Sequence, residues 1–150
     1  MQQAIDAALE GVRTGAGGPF GAAVVRGSEV LAVACNRVLE RNDPTAHAEI
    51  EAIRAACARL GTFDLAGCEL YATCEPCPMC LAAAYWARVA RIVHACGRKD
   101  AAQAGFDDER FYAEIGKPAG ERALELVPFC REDALPLFRA WLDRADRVPY

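Results

Sequence analysis

The chain has 150 residues, enough for one domain with a sizeable core, because a chain of this length buries about 70% of the surface it exposes when unfolded. Its longest apolar run, Met79 to Ala87, is far shorter than the roughly 18 residues of a membrane span, and the start of the chain lacks signal-peptide features. The net charge of -4 provides no basic field for a polyanion, which disfavours nucleic acid as a partner. We therefore expect a soluble, cytoplasmic protein with no membrane partner and a single domain over residues 1–150.

The first half of the chain alternates between predicted helices and strands. Apolar residues at helical spacing predict a helix over 4–12, and two β-rich runs joined by Gly27-Ser28 predict a hairpin over 20–26 and 29–36. A polar loop is predicted over 37–44. A second helix is predicted from position 45, with Gly61 as its stop.

The second half continues the alternation. A strand over 69–73, a helix with Pro78 in its first turn and a strand over 91–96 are predicted first. Asp-rich turns, a short element over 111–115, a strand near 124–129 and a last helix over about 133–145 follow. The alternation predicts an α/β fold, a three-layer α/β/α sandwich with a central mixed β-sheet.

Three of the eight cysteines are closely spaced, in the segment CEPCPMC over residues 74–80. A reducing compartment disfavours disulfides. Cys77 and Cys80 are three positions apart at a predicted helix start, so both sulfurs project from the same side and one ion can reach both. The helix dipole lowers the pKa of thiols at that end and favours the thiolates that zinc requires.

Several other chemistries use cysteines at this spacing. A ferredoxin-type iron–sulfur cluster would need a fourth cysteine at position 84, which is alanine. A thioredoxin-type redox couple at a strand-to-helix junction is an alternative, as is a structural zinc site, although the remaining cysteines are scattered singly and not paired. We assign no ligand role to Cys74, which can be a buried wall residue. His94, in a predicted apolar strand, fits a core or edge histidine with one hydrogen bond.

A histidine near a predicted helix start complements the cysteines. His47 precedes Glu49 by two positions, and although His-x-Glu alone is common, its combination with Pro-Cys-x-x-Cys is the signature of zinc deaminases. His47, Cys77 and Cys80 would leave the fourth position of a zinc ion to water, as in catalytic zinc sites. Glu49 would then be a proton shuttle and not a ligand, provided that His47 lies at the edge of its helix.

Three segments resemble the small bacterial guanine deaminases of the cytidine-deaminase-like superfamily: NDPTAHAE over 42–49, CEPCPMC over 74–80 and YWAR over 85–88. The likeness covers nearly the whole chain and continues through AGFDD over 104–108 to the terminal Tyr150. The tRNA adenosine deaminases share the two zinc motifs but not the Phe-Asp-Asp segment or the tail. The resemblance implies a cytidine-deaminase-like fold and one Zn2+ per subunit.

The resemblance also implies the reaction, which is hydrolytic deamination of guanine to xanthine and ammonia. Water adds to C2 while Glu49 transfers a proton. The family pattern places Asp108 opposite the N1–H and N2 donors of the base and Asn36 beside O6 or N7. Taken alone, an aspartate that caps a helix and an asparagine that ends a strand are the simpler explanations.

Four further substrate-binding residues are implied by the resemblance. Phe20 and Trp86 can stack on a planar ring, although core packing explains either one by itself, and Ala48 and Tyr150 complete the set. In the resembled family the tail closes over a site, sometimes in a neighbouring subunit, so a homodimer that exchanges C-terminal tails is implied. Within the superfamily, deamination of guanosine or of tRNA adenosine is the alternative, and outside it a structural-zinc or thiol redox module.

Overall fold

The computed structural model describes residues 1–150 and contains two compact units, Met1–Tyr112 and Ala113–Tyr150. The first unit holds four strands and five complete helices: α1 (Gln2–Thr14), β1 (Gly21–Arg26), β2 (Glu29–Cys35), α2 (Val38–Arg41), α3 (Ala48–Leu60), β3 (Glu69–Cys74), α4 (Pro78–Trp86), β4 (Arg91–Cys96) and α5 (Arg98–Gln103). Helix α6 (Asp108–Gly116) crosses the boundary. The second unit adds a 3-10 turn (Ala119–Glu121) and α7 (Arg131–Leu142). A single domain over 1–150 stays a prediction.

The four strands form one sheet in the order β2-β1-β3-β4. Strand β1 is antiparallel to both β2 and β3, whereas β3 and β4 are parallel, so the sheet is mixed as predicted. The parallel register aligns Cys74 with Cys96 at the ends of their strands. No helix combines the length and hydropathy of a membrane span.

Helices cover both faces of this sheet. On one face α1 approaches β1 so closely that a Cβ atom at Gly21 would lie 1.9 Å from the Ala4 carbonyl oxygen. On the other face Ala22 and Val24 pack in a core with residues of α3 and α4, among them Ala52 and Ala84. Because successive side chains of a strand point to opposite faces, α1 lies on one side and α3 and α4 on the other. The prediction of a three-layer α/β/α sandwich is confirmed.

Three predicted segments differ from the structure. Residues 37–44 contain the short helix α2, which ends where Asn42 adopts a left-handed backbone conformation (φ 50°), and α5 replaces part of the predicted Asp-rich turns. The predicted strand near 124–129 is wrong, because those residues form no ladder. Its alternating apolar pattern suggested a strand, but a strand needs partners for its backbone groups and Pro128 has no N–H to donate.

Candidate active site

Two helices begin at the candidate active site. His47 is the N-cap residue of α3 (φ -68°, ψ 153°) and Cys77 is the N-cap residue of α4 (φ -65°, ψ 168°), with Pro78 as the first helical residue of α4. An N-cap residue has extended backbone angles, so its side chain does not follow the helical periodicity. His47 can therefore face the same point as Glu49, although the two are only two positions apart. The predicted position of His47 at a helix edge is confirmed.

The chain before His47 is held by a local turn and an ion pair. The Asp43 carboxylate accepts hydrogen bonds from the Thr45 backbone N–H at 2.8 Å and from its hydroxyl at 2.7 Å, as in an Asx turn. Arg41 of α2 lies 2.7 Å from the carboxylate of Glu51, a buried residue in the first turn of α3. These contacts fix the approach of the chain to His47.

The geometry of His47, Cys77 and Cys80 fits a zinc ion. His47 Nδ1 lies 3.6 Å from Cys77 Sγ and 3.5 Å from Cys80 Sγ, and the three atoms lie within 4.8 Å of one another. Zinc bonds of about 2.3 Å to sulfur and about 2.05 Å to nitrogen at a tetrahedral angle place those atoms about 3.6 Å apart. The donor set of two sulfurs and one imidazole also matches the ligand preference of zinc.

Hydrogen bonds among His47, Cys77 and Cys80 shift the pKa values of all three side chains. A hydrogen bond from Cys80, followed by one from His47, lowers the pKa of the Cys77 thiol to about 4. The hydrogen bond with Cys77, followed by burial, raises the pKa of the Cys80 thiol, and the hydrogen bond to Cys77 raises the pKa of His47. Metal binding to such groups displaces their protons, because the ligand forms are thiolate and neutral imidazole.

Glu49 lies beside this cluster and lines the same cavity as His47 and Cys77. Its side chain is almost fully buried, and burial raises the pKa of its carboxyl above the ordinary value, with the Cys77 charge acting in the same direction. A carboxyl with a raised pKa both accepts and returns a proton more readily near neutral pH, which suits a general acid and base.

One cavity of about 490 Å³ contains most of the predicted site residues. Its lining includes His47, Glu49, Cys77, Asn36, Asp108 and Phe20 together with Gly17, Gly18, Val38, Leu39, Pro44, Cys74, Glu75, Phe106 and Phe111. Cys80 is fully buried and is not among the lining residues. The cavity therefore brings together residues separated by up to 94 positions in the chain, from Gly17 to Phe111.

Three predicted substrate-binding residues are absent from that lining. Ala48 is fully buried and packs in the core between the sheet and α3. Trp86 ends α4 with 62% of its surface exposed, and Tyr150 belongs to the second unit. Their roles in substrate binding stay predictions.

The side-chain amide of Asn36 is held by hydrogen bonds to its oxygen. The Gly18 and Val38 backbone N–H groups donate to Asn36 Oδ1 at 3.3 and 3.2 Å. The oxygen thus accepts two backbone hydrogen bonds, and the NH2 group is the remaining donor of this cavity-lining side chain. Gly17 makes this possible, because a Cβ atom there would lie 2.1 Å from Asn36 Oδ1.

Asp108 is the first residue of α6 and lines the same cavity as Asn36. Burial, followed by the Cys77 charge, raises the pKa of its carboxyl. Phe106, two positions earlier, packs edge-on against Phe20 with a centroid distance of 4.6 Å and an interplanar angle of 77°. Sequence reasoning assigned no role to Phe106, although it lies in the AGFDD segment that carries the resemblance.

The two residues left without a ligand role agree with their sequence interpretation. Cys74 is buried, lines the cavity and donates to the Gly97 carbonyl oxygen at 3.5 Å, so it is a wall residue. His94 lies on the edge strand β4, where Nδ1 is 2.9 Å from the Cys96 carbonyl oxygen. The glutamate Glu75, which sequence reasoning passed over, also lines the cavity.

Comparison with known proteins agrees with this geometry. The protein-family model for the cytidine and deoxycytidylate deaminase zinc-binding region matches residues 1–96 of this chain. The guanine deaminase of Bacillus subtilis (strain 168) is 47% identical over all 150 residues of this chain and 96% of its own length. The chain belongs to this deaminase family. Together with the His47, Cys77 and Cys80 cluster, membership of the family confirms the prediction of one zinc site per subunit.

The solved structures similar to this chain include two guanine deaminases. The crystal structure of Bacillus subtilis guanine deaminase superposes with a TM-score of 0.94, at 48% identity over 99% of this chain and 95% of that one. A guanine deaminase from Nitrosomonas europaea gives a TM-score of 0.68, at 30% identity over 93% of this chain and 80% of that one. The tRNA-specific adenosine deaminase of Aquifex aeolicus (strain VF5) is 49% identical over only 50% of each chain. The predicted resemblance to bacterial guanine deaminases is confirmed.

Proposed function

We propose that this protein is a zinc-dependent guanine deaminase that converts guanine and water to xanthine and ammonia. The observation that carries the proposal is one cavity that joins a His47, Cys77 and Cys80 metal site to a buried carboxyl at Glu49 and to the polar pair Asn36 and Asp108. The full-length similarity to a guanine deaminase supports the same conclusion.

The cavity offers complementary partners for the edge of guanine. Asp108 supplies carboxylate oxygens, which accept hydrogen bonds from the N1–H and N2 groups of the base. Asn36 presents its NH2 group, which donates to O6 or N7, because its oxygen is already bound by backbone amides. Phe20 offers an aromatic face to the planar ring, and Phe106 holds Phe20 from the side.

Proton transfer is the role of Glu49. A zinc ion held by His47, Cys77 and Cys80 would supply a Lewis acid that makes a bound water more acidic. Glu49 accepts a proton from the attacking water, delivers it to the ring and assists the departure of the exocyclic amine. The oxygen becomes bonded to C2 and the C2–N2 bond breaks, so one water is consumed and one ammonia is released.

Ammonia release from a panel of bases tests the proposal. Zinc-loaded protein is incubated with guanine, guanosine, cytosine, cytidine and adenine, and we expect the highest kcat/KM with guanine. Deamination of guanosine at an equal rate would make the nucleoside the assigned substrate. Turnover of cytidine without turnover of guanine would contradict the assignment to the guanine deaminases. A chain that binds zinc and releases no ammonia from any of the five would favour a structural-zinc or redox module.

We also propose a homodimer as the working form, in the cytoplasm and with a small purine base as ligand. No residue of the second unit is buried, and its exposed apolar side chains are Ile115, Leu124, Leu126, Val127, Phe129, Leu137, Phe138, Trp141, Leu142, Val148 and Tyr150. Such a surface is unusual on a monomer and is typical of one that a partner covers. Sedimentation equilibrium of the full chain should therefore give twice the monomer mass.

Exchange of C-terminal tails has a more specific test. Glu49→Gln and Tyr150→Ala each inactivate a homodimer if Tyr150 closes a site. In a mixture refolded together, the Tyr150→Ala protomer keeps Glu49 and receives Tyr150 from its partner. Random pairing should then restore about a quarter of the wild-type activity. No recovery would show that Tyr150 acts within its own subunit, whereas a Tyr150→Ala homodimer that is active by itself would show that Tyr150 closes no site.

A further inference from the structure

We propose that Tyr112, Arg98 and Glu75 form a positioning clamp that holds Asp108 in place beside the segment that carries Cys77. Tyr112 and Arg98 do not line the cavity, so they act through Asp108 and not on the substrate. The inference rests on the proposed function only in the role of Asp108 as a base-binding residue.

The position of Asp108 requires such support. It is the first residue of α6, and the first turn of a helix frays readily because its N–H groups have no partners within the helix. A carboxylate that binds a base must keep its place within a fraction of an ångström. Tyr112 lies four positions later and therefore on the same face of α6 as Asp108.

The Tyr112 hydroxyl connects this face to the zinc-site segment. It donates a hydrogen bond to the Pro76 carbonyl oxygen at 2.8 Å, across 36 positions of sequence. Pro76 is buried and directly precedes Cys77. One hydrogen bond thus fixes the distance between the helix that carries Asp108 and the residue that begins α4.

The Arg98 guanidinium lies over the Tyr112 ring. Its guanidinium carbon lies 4.3 Å from the ring centroid, a cation–π distance. Its Nε atom lies 3.0 Å from Glu75 Oε1, and its backbone N–H donates to Glu75 Oε2 at 3.4 Å. Glu75 is itself held by a hydrogen bond from its backbone N–H to the Cys96 carbonyl oxygen at 2.9 Å.

The contacts of the clamp differ in strength. The ion pair of Arg98 and Glu75 is partly exposed, with side-chain exposures of 40% and 28%, so it contributes little by itself. The Tyr112 hydroxyl bonds to a buried backbone carbonyl, and its loss leaves that carbonyl without this donor. Removal of the hydroxyl should therefore have the larger effect on Asp108.

The first test is a double-mutant cycle in the zinc-loaded, full-length protein. Tyr112→Phe keeps the ring over Arg98 and removes only the hydroxyl, and we expect kcat/KM for guanine to fall about tenfold, mainly through KM. In an Asp108→Asn background, Tyr112→Phe should lower kcat/KM by less than about twofold, because the carboxylate that Tyr112 positions has already been removed. Arg98→Leu should show the same dependence with a smaller effect.

Tyr71→Phe is the matched control. The Tyr71 hydroxyl also donates over 2.8 Å, to Glu69 on the same strand, and Tyr71 lies outside the cavity lining. This variant should leave kcat/KM unchanged in both backgrounds. If Tyr112→Phe lowers kcat/KM equally in the wild-type and Asp108→Asn backgrounds, the clamp does not position Asp108. A general loss of stability would then explain the lower activity.

Amide hydrogen exchange tests the clamp without turnover. In zinc-loaded Tyr112→Phe protein, peptides that cover 106–112 should exchange faster, while peptides from α3 keep the wild-type rate. Unchanged exchange over 106–112 would also overturn the proposal. If the wild-type protein does not deaminate guanine, the proposed function fails, and the exchange experiment still decides whether the clamp exists.

Discussion

The two compact units bury their apolar side chains to different degrees. In the first unit, Leu65, Leu70 and Val24 are fully buried in one core, and the residues that line the candidate cavity all belong to this unit. In the second unit no residue is buried, and Phe129 and Leu137 are 88% and 71% exposed. The first unit can stabilise its site through its own core, whereas the second lacks a core that repays the entropy of ordering it.

Substitution of a zinc ligand in the first unit should have the largest effect on zinc content and activity, and substitution of a cysteine in the second unit should have none. Cys80→Ser should abolish both zinc binding and guanine deamination and lower the unfolding temperature, because metal binding is coupled to folding. Elemental analysis and thermal unfolding give the readout. Cys130→Ser in the second unit, where the cysteine is exposed, is the control. Retention of stoichiometric zinc by Cys80→Ser would contradict the ligand assignment.

Glu49→Gln tests whether the first unit can lose activity while it keeps its zinc and its stability. We expect kcat for guanine to fall by roughly 10³-fold, within the usual range for a general acid and base, while zinc content and unfolding temperature stay near the wild-type values. Glu125→Gln, in the second unit, should leave kcat unchanged. A Glu49→Gln enzyme with more than a tenth of the wild-type kcat would show that another group transfers the proton.

A pair of leucine truncations measures the difference in burial directly. Leu70→Ala should lower the free energy of unfolding by about 2–5 kcal/mol, because the side chain is fully buried. Leu137→Ala should change it by less than about 0.5 kcal/mol in a monomer, as expected for an exposed side chain. Urea denaturation gives both values. A large loss for Leu137→Ala that shrinks when the protein is diluted would indicate that a second copy covers this surface.

Gly17→Ala should have a smaller and more local effect. A Cβ atom would lie 2.1 Å from Asn36 Oδ1 and 2.8 Å from the Asn36 carbonyl oxygen, so the amide must move. We expect KM for guanine to rise about tenfold with little change in zinc content, because the metal ligands are not displaced. Gly116→Ala in the second unit, where a Cβ atom meets nothing within 4 Å, should leave KM unchanged.

The contrast between the units also explains what the sequence could predict. Most helices and strands of the first unit were predicted within a few residues because amphipathic patterns report burial against a core. The strand expected near 124–129 was wrong because its apolar residues pack in no sheet. An apolar pattern predicts a strand only where its apolar side chains are buried against a core, and the second unit has no buried residue.

Within the site, local motifs were more informative than isolated residues. His47, Cys77 and Cys80 were recognisable because the residue types and their spacing are specific for zinc. Asn36 and Asp108 were suggested only by family resemblance, because no spacing in the chain connects them. Glu75, Arg98 and Tyr112 had no recognisable pattern, since a hydrogen bond across 36 positions depends on the folded structure alone.

His47 and Cys77 stand just outside the helices that they introduce. Neither side chain takes part in the backbone ladder of its helix, so exchanging one donor atom for another should leave both helices intact. The scaffold and its reactive centre are therefore separable, and alternative coordination chemistry can be installed at these two positions without redesigning the surrounding framework.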